Sequence, residues 1–105
     1  MVLAGACPLE PDGSVAAVGD YAAQAVRCIE TMTKVLRAAG ATITDVVATR
    51  VLVASTRRSD LVDVWHVVRD AFGDHDAPST LMGVTMLGYE NQLVEIEATA
   101  AILAQ

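Results

Sequence analysis

The hydrophobic positions along the chain first follow a helical period. From Asp20 to Gly40, apolar residues recur every three or four positions with charged residues between them, which predicts an amphipathic helix. Asp20 is suited to cap its N-terminus, and Gly40 lies just past its end. The same period predicts a second helix that begins at Ser59 or Asp60 and ends at Gly73.

Short apolar runs between turn residues predict the strands. The predicted strands are Met1–Ala4, Ser14–Val18, Val46–Ala54, Thr80–Leu87 and Gln92–Leu103. Turns are predicted over residues 8–13, which contain Pro, Asp and Gly, and over residues 88–91. The β-branched run that starts at Val46 is predicted to be central and buried on both faces. The order ββ-α-β-α-ββ predicts one α+β domain over residues 1–105, with a mixed sheet and both helices on one face.

Composition narrows the range of partners. Hydrophobic residues make up 53% of the chain, more than a small two-helix domain readily buries, so we expect association between copies. The net charge is −6 with only seven Lys and Arg residues, which excludes nucleic acid and anionic membrane surfaces as expected partners. No run approaches the roughly 20 apolar residues of a membrane span. These features predict a cytoplasmic protein.

The cysteines and histidines show no metal or redox pattern. Cys7 and Cys28 lack C-x-x-C spacing and are expected to be reduced, buried thiols. His66 and His75 match no ligand motif and are expected on the surface, and Trp65 is expected to pack in the core or an interface. The sequence therefore predicts neither a metal nor a cofactor.

Several strings in this order resemble the Rid (reactive intermediate deaminase, YjgF-like) family along essentially the whole chain. They are Leu3-Ala4-Gly5 with Pro8-Leu9 and Asp12-Gly13, then Phe72-Gly73, and above all Val94-Glu95-Ile96-Glu97-Ala98. The resemblance implies a chorismate-mutase-like fold and a homotrimer with small-molecule clefts at the subunit interfaces. It also implies that the chain starts at what is usually the family's second strand, so that either the cleft is more open or its wall comes from elsewhere.

The resemblance assigns candidate roles to individual residues. Glu95 matches the family glutamate that positions a water molecule for imine or enamine hydrolysis, whereas Glu97 is expected on a solvated face. Gly5 and Ala6 begin the strand that lines the cleft in relatives. Tyr89 is a candidate to reach a neighbouring subunit's cleft.

The family's carboxylate-binding arginine is absent from its usual place. The string Ala77-Pro78-Ser79-Thr80 has Ser79 where relatives have arginine, and serine cannot balance a carboxylate charge. Ser79 and Thr80 remain candidates to hydrogen-bond a ligand. Substrates that depend on a carboxylate are therefore expected to be poor.

The sequence thus favours a Rid-like hydrolase that acts on an imine, enamine or related C–N substrate without the usual arginine. The alternative is a non-catalytic metabolite-binding or interaction module of the same fold. A chorismate-mutase-like activity is disfavoured because few cationic side chains are present. Ribonuclease activity is disfavoured by the net charge of −6.

Overall fold

A computed structural model describes residues 2–102, with side chains from Gly5 onward. The elements are β1 (Val2–Ala6), α1 (Tyr21–Ala38), a short 3-10 turn (Ile43–Asp45), β2 (Val46–Val53), α2 (Arg58–Phe72), β3 (Ser79–Gly83) and β4 (Val94–Ala100). The four strands form one sheet in the order β1-β4-β2-β3. β4 runs antiparallel to β1 and β2, and β2 runs parallel to β3. The α+β prediction with a mixed sheet is confirmed.

The N-terminal hairpin was predicted to have two strands, and the prediction of the second strand is wrong. Residues 14–18 make one bridge, between Leu9 and Val15, and form no strand. The Asp12 side chain accepts hydrogen bonds from the backbone and hydroxyl of Ser14, which holds a local turn. Ala17 and Gly19 have φ angles of 50° and 82°, a backbone conformation that an extended strand cannot contain.

Both predicted helices are present, and both end at the predicted glycines. The Asp20 side chain accepts a hydrogen bond from the backbone nitrogen of Ala23, and Gly40 follows α1 with a φ of 80°. Gly73 ends α2 with a φ of 59°. α2 begins at Arg58, before the predicted Ser59 or Asp60, because Ser55 accepts a hydrogen bond from the backbone of Arg57 and fixes the turn.

The helices pack on one face of the sheet, as predicted. Along β4, the buried residues Val94, Ile96, Ala98 and Ala100 alternate with partly exposed ones, among them Glu95 and Glu97. The buried set joins the apolar faces of α1 and α2 in a single core. Side chains that alternate with this set point to the opposite face, which carries no helix and is called the open face below.

The prediction that β2 is buried on both faces holds only in part. Val51 and Val53 on the helix side are fully buried, whereas on the open face Leu52 is 9% exposed and Arg50 is exposed. β3 stops at Gly83 rather than Leu87 because its neighbour β2 ends at Val53, the partner of Gly83. β4 starts at Val94 and ends at Ala100, short of the predicted bounds, whose last residue, Leu103, lies outside the described residues.

Candidate functional site

Glu95 lies on the open face of β4, next to the carboxyl end of β1. The Cys7 thiol donates a hydrogen bond to Glu95 Oε1 over 3.2 Å, and Gln92 Nε2 donates to the same oxygen over 3.3 Å. Among the residues that the structure describes, none donates to Oε2. We call Gly5, Cys7, Gln92 and Glu95 the carboxylate cluster. It holds one carboxylate oxygen fixed and leaves the other available.

Gly5 is required for this arrangement by its lack of a side chain. A Cβ atom at position 5 would lie 2.6 Å from Glu95 Cδ, far inside van der Waals contact. The glycine therefore makes room for the glutamate carboxyl to lie across β1. Ala6 does not share this position: its side chain is 7% exposed and belongs to the helix-side core. Because side chains alternate along the strand, the Ala6 side chain points away from Glu95.

The Cys7 thiol is protonated at neutral pH. Partial burial raises its pKa to about 11, and the hydrogen bond to Glu95 and the charge of that carboxylate act in the same direction. Cys7 therefore serves as a hydrogen-bond donor and not as a thiolate nucleophile. Cys28 is fully buried, and its burial raises its thiol pKa further; its Sγ lies 3.6 Å from the carbonyl of Val94. The expectation of buried thiols holds fully for Cys28 and partly for Cys7.

Gln92 links the turn at Tyr89 to Glu95. Its Oε1 accepts the backbone N–H of Tyr89 over 3.1 Å, while its Nε2 donates to the carbonyl of Val94 and to Glu95. The side chain of Gln92 is 4% exposed, so these bonds are sheltered. Sequence reasoning missed Gln92, although a polar residue at the start of an apolar strand was a signal. The Tyr89 side chain is 51% exposed beside this loop.

Glu97 has a different environment from Glu95. Its Oε2 lies 3.4 Å from an Arg50 guanidinium nitrogen, and both side chains are partly exposed. The two residues are cross-strand partners on the open face. This is an ordinary surface ion pair, as expected for a solvated strand face.

Ser79 and Thr80 point to opposite faces. Ser79 pairs with Thr49, on the helix side, and its hydroxyl bonds with the Thr49 hydroxyl and donates to the carbonyl of Ala77. Thr80 pairs with Arg50 and therefore lies on the open face, near the Arg50–Glu97 pair. Because they face opposite sides of the sheet, the side chains of Ser79 and Thr80 in one copy cannot both contact the same ligand.

Ser79 lines a cavity of about 170 Å³ between α2 and the start of β3. Its wall includes the aromatic rings of Trp65 and Phe72 and the polar groups of Arg69, His75, Asp76 and Ser79. We call this cavity the α2–β3 pocket. Trp65 is partly buried and packs against the core, as expected, but it also faces this pocket.

His66 is exposed as predicted, whereas His75 is half-buried. The ring of His75 stacks on Phe72 with centroids 6.1 Å apart, and its Nε2 lies 2.7 Å from the carbonyl oxygen of Val46. That carbonyl can only accept, so Nε2 carries the proton. The ring is partly covered because the loop after Gly73 folds back over the start of β2.

The candidate residues therefore form two groups. Glu95 pairs with Leu52, and Ser79 pairs with Thr49, so the two lie two strands and three residues apart. Strand spacings place them about 14 Å apart, on opposite faces of the sheet. A site that uses both groups needs a second copy of the chain.

Two kinds of feature are not found in residues 2–102. No group of three or more His, Cys, Asp or Glu side chains is placed to hold a metal ion. Neither helix in that range has the length and apolar character needed to cross a membrane.

Comparisons with known proteins identify the fold. Residues 1–102 match the family model described as Endoribonuclease L-PSP. The Rid family protein YyfB from Yersinia pestis has a TM-score of 0.90 and 30% identity, over 97% of this chain and 77% of that one. Rv2704 from Mycobacterium tuberculosis, a member of the YjgF/YER057c/UK114 family, has 35% identity and a TM-score of 0.79, over 96% and 77% of the chains.

The YjgF gene product of E. coli is similar in the same way. It has 29% identity and a TM-score of 0.81, over 94% of this chain and 77% of that one. No curated protein matches the chain at a significant level. With its helices, mixed sheet and terminal Glu95 strand, the chain belongs to the Rid/YjgF family.

Proposed function

We propose that this protein is a Rid-type hydrolase of an imine, enamine or related C–N substrate, acting at clefts between copies of a homotrimer. The observation that carries the proposal is the geometry of Glu95. Its carboxylate is fixed through Oε1 by Cys7 and Gln92, and it lies over Gly5 on a sheet face that no helix covers. A positioned carboxylate of this kind is suited to general acid–base work.

The proposed reaction needs one water molecule and one proton carrier. Glu95 orients the water and accepts its proton as the oxygen attacks the imine carbon. Glu95 then returns the proton to nitrogen, which gives a carbinolamine. In a second transfer through Glu95 the hydroxyl proton moves to the same nitrogen, and ammonia leaves as the C–N bond breaks and the C=O bond forms. Cys7 donates its thiol hydrogen bond throughout and keeps the carboxyl group in place. No metal, cofactor or oxidant is needed for this balance.

The cleft is proposed to form between two copies. Glu95 and the α2–β3 pocket lie on opposite faces of the sheet, so one copy would present Glu95 to the pocket of its neighbour. The Arg50–Glu97 pair lies on the face that such an assembly would cover. Light scattering at micromolar concentration is expected to report three chains. A stable monomer would contradict this part of the proposal.

The test of the activity compares two glutamates on one strand. Imines without a carboxylate are generated from neutral amines by an amine oxidase, and release of the carbonyl product is followed with and without the protein. On any substrate that the protein accelerates, Glu95→Gln should lower turnover by about 10²–10⁴-fold. Glu97→Gln is the matched control and should change turnover far less, because its partner is the exposed Arg50.

Three outcomes of this test are informative. Loss in Glu95→Gln alone supports the proposal. Equal losses in both variants, or in neither, contradict the role of Glu95. Ligand binding without acceleration of any imine, unaffected by Glu95→Gln, would instead show a non-catalytic binding module.

A further inference from the structure

One buried side chain of α1 is hydrogen-bonded to the turn that leads into the Glu95 strand. Gln24 is fully buried, whereas the other buried residues of α1 are Ala, Cys, Met and Leu. Gln24 Nε2 donates to the carbonyl of Asn91 over 3.0 Å, and Gln24 Oε1 accepts the backbone N–H of Leu93 over 2.8 Å. Because a buried amide is stable only when it is hydrogen-bonded, Gln24 fixes the backbone on both sides of residue 92.

The same turn is closed by the side chain of Gln92. The backbone N–H of Gln92 donates to the carbonyl of Tyr89, and the backbone N–H of Tyr89 donates to Gln92 Oε1. Asn91 between them has a φ of 67°, a left-handed conformation that asparagine tolerates better than most residues. The turn at residues 89–92 is therefore held by Gln92 from within and by Gln24 from α1.

The turn decides which end of the Gln92 amide meets Glu95. The Tyr89 N–H can only donate, so it requires the amide oxygen. The Val94 carbonyl can only accept, so it requires the amide nitrogen, which also donates to Glu95 Oε1 over 3.3 Å. A turn that rotated Gln92 would present the amide oxygen to the carboxylate and repel it.

We propose that Gln24 is a positioning residue of the reaction described above, and that it acts through the turn rather than by contact with Glu95. Gln24 holds the turn at residues 89–92, the turn orients Gln92, and Gln92 holds the carboxylate that accepts the proton. The inference rests on the proposed function, because it assigns Gln24 an effect on turnover. It extends the arrangement around Glu95 to α1, which packs on the other face of the sheet.

The experiment measures turnover and unfolding of Gln24→Met, which keeps the approximate size of the side chain and removes both amide groups. For a carboxylate-free imine, kcat should fall by about 10- to 100-fold, the cost of moving a reacting group by up to about an ångström. KM should change little, because Gln24 is buried away from the open face. Turnover is measured well below the unfolding temperature of each variant, so that all chains are folded.

Two comparisons distinguish positioning from a purely structural role. Met32→Ala also removes a buried side chain of α1, and it should lower the free energy of unfolding while kcat stays near the wild-type value. In the Glu95→Gln protein, Gln24→Met should cause no further fall in kcat, because the group that it positions is already gone. A purely structural role would lower stability in both proteins and kcat in neither.

A second pair of variants tests the same link without changing α1, and it decides the question if Gln24→Met does not fold. Tyr89→Pro removes the backbone N–H that holds Gln92 Oε1, whereas Tyr89→Ala keeps it. Both variants lack the tyrosine ring, so the difference between them reports the N–H alone. The kcat of Tyr89→Pro should be about 10-fold or more below that of Tyr89→Ala.

The outcomes separate this inference from the proposed function. A wild-type protein that accelerates no imine, or a fully active Glu95→Gln, would contradict the proposed function and the inference with it. Turnover that depends on Glu95 but is unchanged in folded Gln24→Met, or falls equally in Met32→Ala, would overturn the inference alone. Equal kcat values for Tyr89→Pro and Tyr89→Ala would also overturn it and leave the hydrolase standing.

Discussion

The two groups of candidate site residues lie on opposite faces of one sheet and are built differently. The carboxylate cluster consists of strand and strand-end residues, and Glu95 is fixed there by two donors and by the missing side chain of Gly5. The α2–β3 pocket is lined by helix and loop residues at the edge of the sheet, and Arg69 among them pairs with its exposed neighbour Asp70. Glu95 is thus held by hydrogen bonds from two other residues, whereas the ion pair of Arg69 is exposed to water.

The difference assigns the two groups different tasks. A group that moves protons must be held within a fraction of an ångström, which a hydrogen-bonded pair of strands can do. A group that selects a ligand can change by substitution of single residues on a helix, and such substitutions leave the sheet intact.

Of the substitutions that separate the two groups, one at Gly5 is expected to have the largest effect. Gly5→Ala places a Cβ atom 2.6 Å from Glu95 Cδ, so the carboxyl group must leave its position beside Cys7 and Gln92. Turnover should fall by about 10²-fold, since misplacement by about an ångström costs that much. The α2–β3 pocket, on the opposite face, should be unaffected.

The matched control for this substitution is Gly88→Ala. Nothing lies within 4 Å of a Cβ atom at position 88, so this variant should retain turnover and assembly. If Gly5→Ala is as active as Gly88→Ala, the position of Glu95 against β1 is not needed for catalysis.

A smaller effect is expected from the chemistry of Cys7. Because its pKa is raised to about 11, the thiol should react slowly with iodoacetamide at pH 8. The reaction should become faster as the pH is raised from 8 towards 11. Glu95→Gln removes the negative charge that favours the protonated thiol, so the pKa falls and alkylation at pH 8 should speed up by a few-fold, about the size expected from one neighbouring charge.

Mass spectrometry of the modified peptide measures this rate, and Cys7→Ser provides the blank because Cys28 is buried. Rapid alkylation of the wild-type thiol at pH 8 would show that Cys7 is a thiolate, and the description of the cluster as a set of neutral donors around one carboxylate would then be wrong.

Local patterns predicted most of the fold. Asp20, Gly40 and Gly73 mark helix ends because caps depend on neighbouring residues, and the alternation around Glu95 is a local property of the strand. The strand predicted at Ser14–Val18 failed because apolar character cannot reveal the left-handed backbone at Ala17. The prediction that β2 is buried on both faces holds only in part because β-branched composition does not show how many layers cover a sheet.

The α2–β3 pocket could not be predicted from one sequence. The spacing of Trp65, Arg69 and Phe72 places them on one helix face, but it does not show which strand that face meets. The path of the loop through His75 also depends on contacts with the start of β2. Long-range packing therefore determines this group, whereas motif position was enough to find Glu95.

The central claim is that Glu95 of one copy works with the α2–β3 pocket of the next. The direct measurement is turnover after equal amounts of Glu95→Gln and Ser79→Phe chains are unfolded together and reassembled; the ring added at position 79 should fill the pocket. In a cyclic assembly, half of the copies carry an intact Glu95 and half of their neighbours carry an open pocket, so about one quarter of wild-type activity should return. Activity no higher than that of the separately reassembled variants would contradict the shared site.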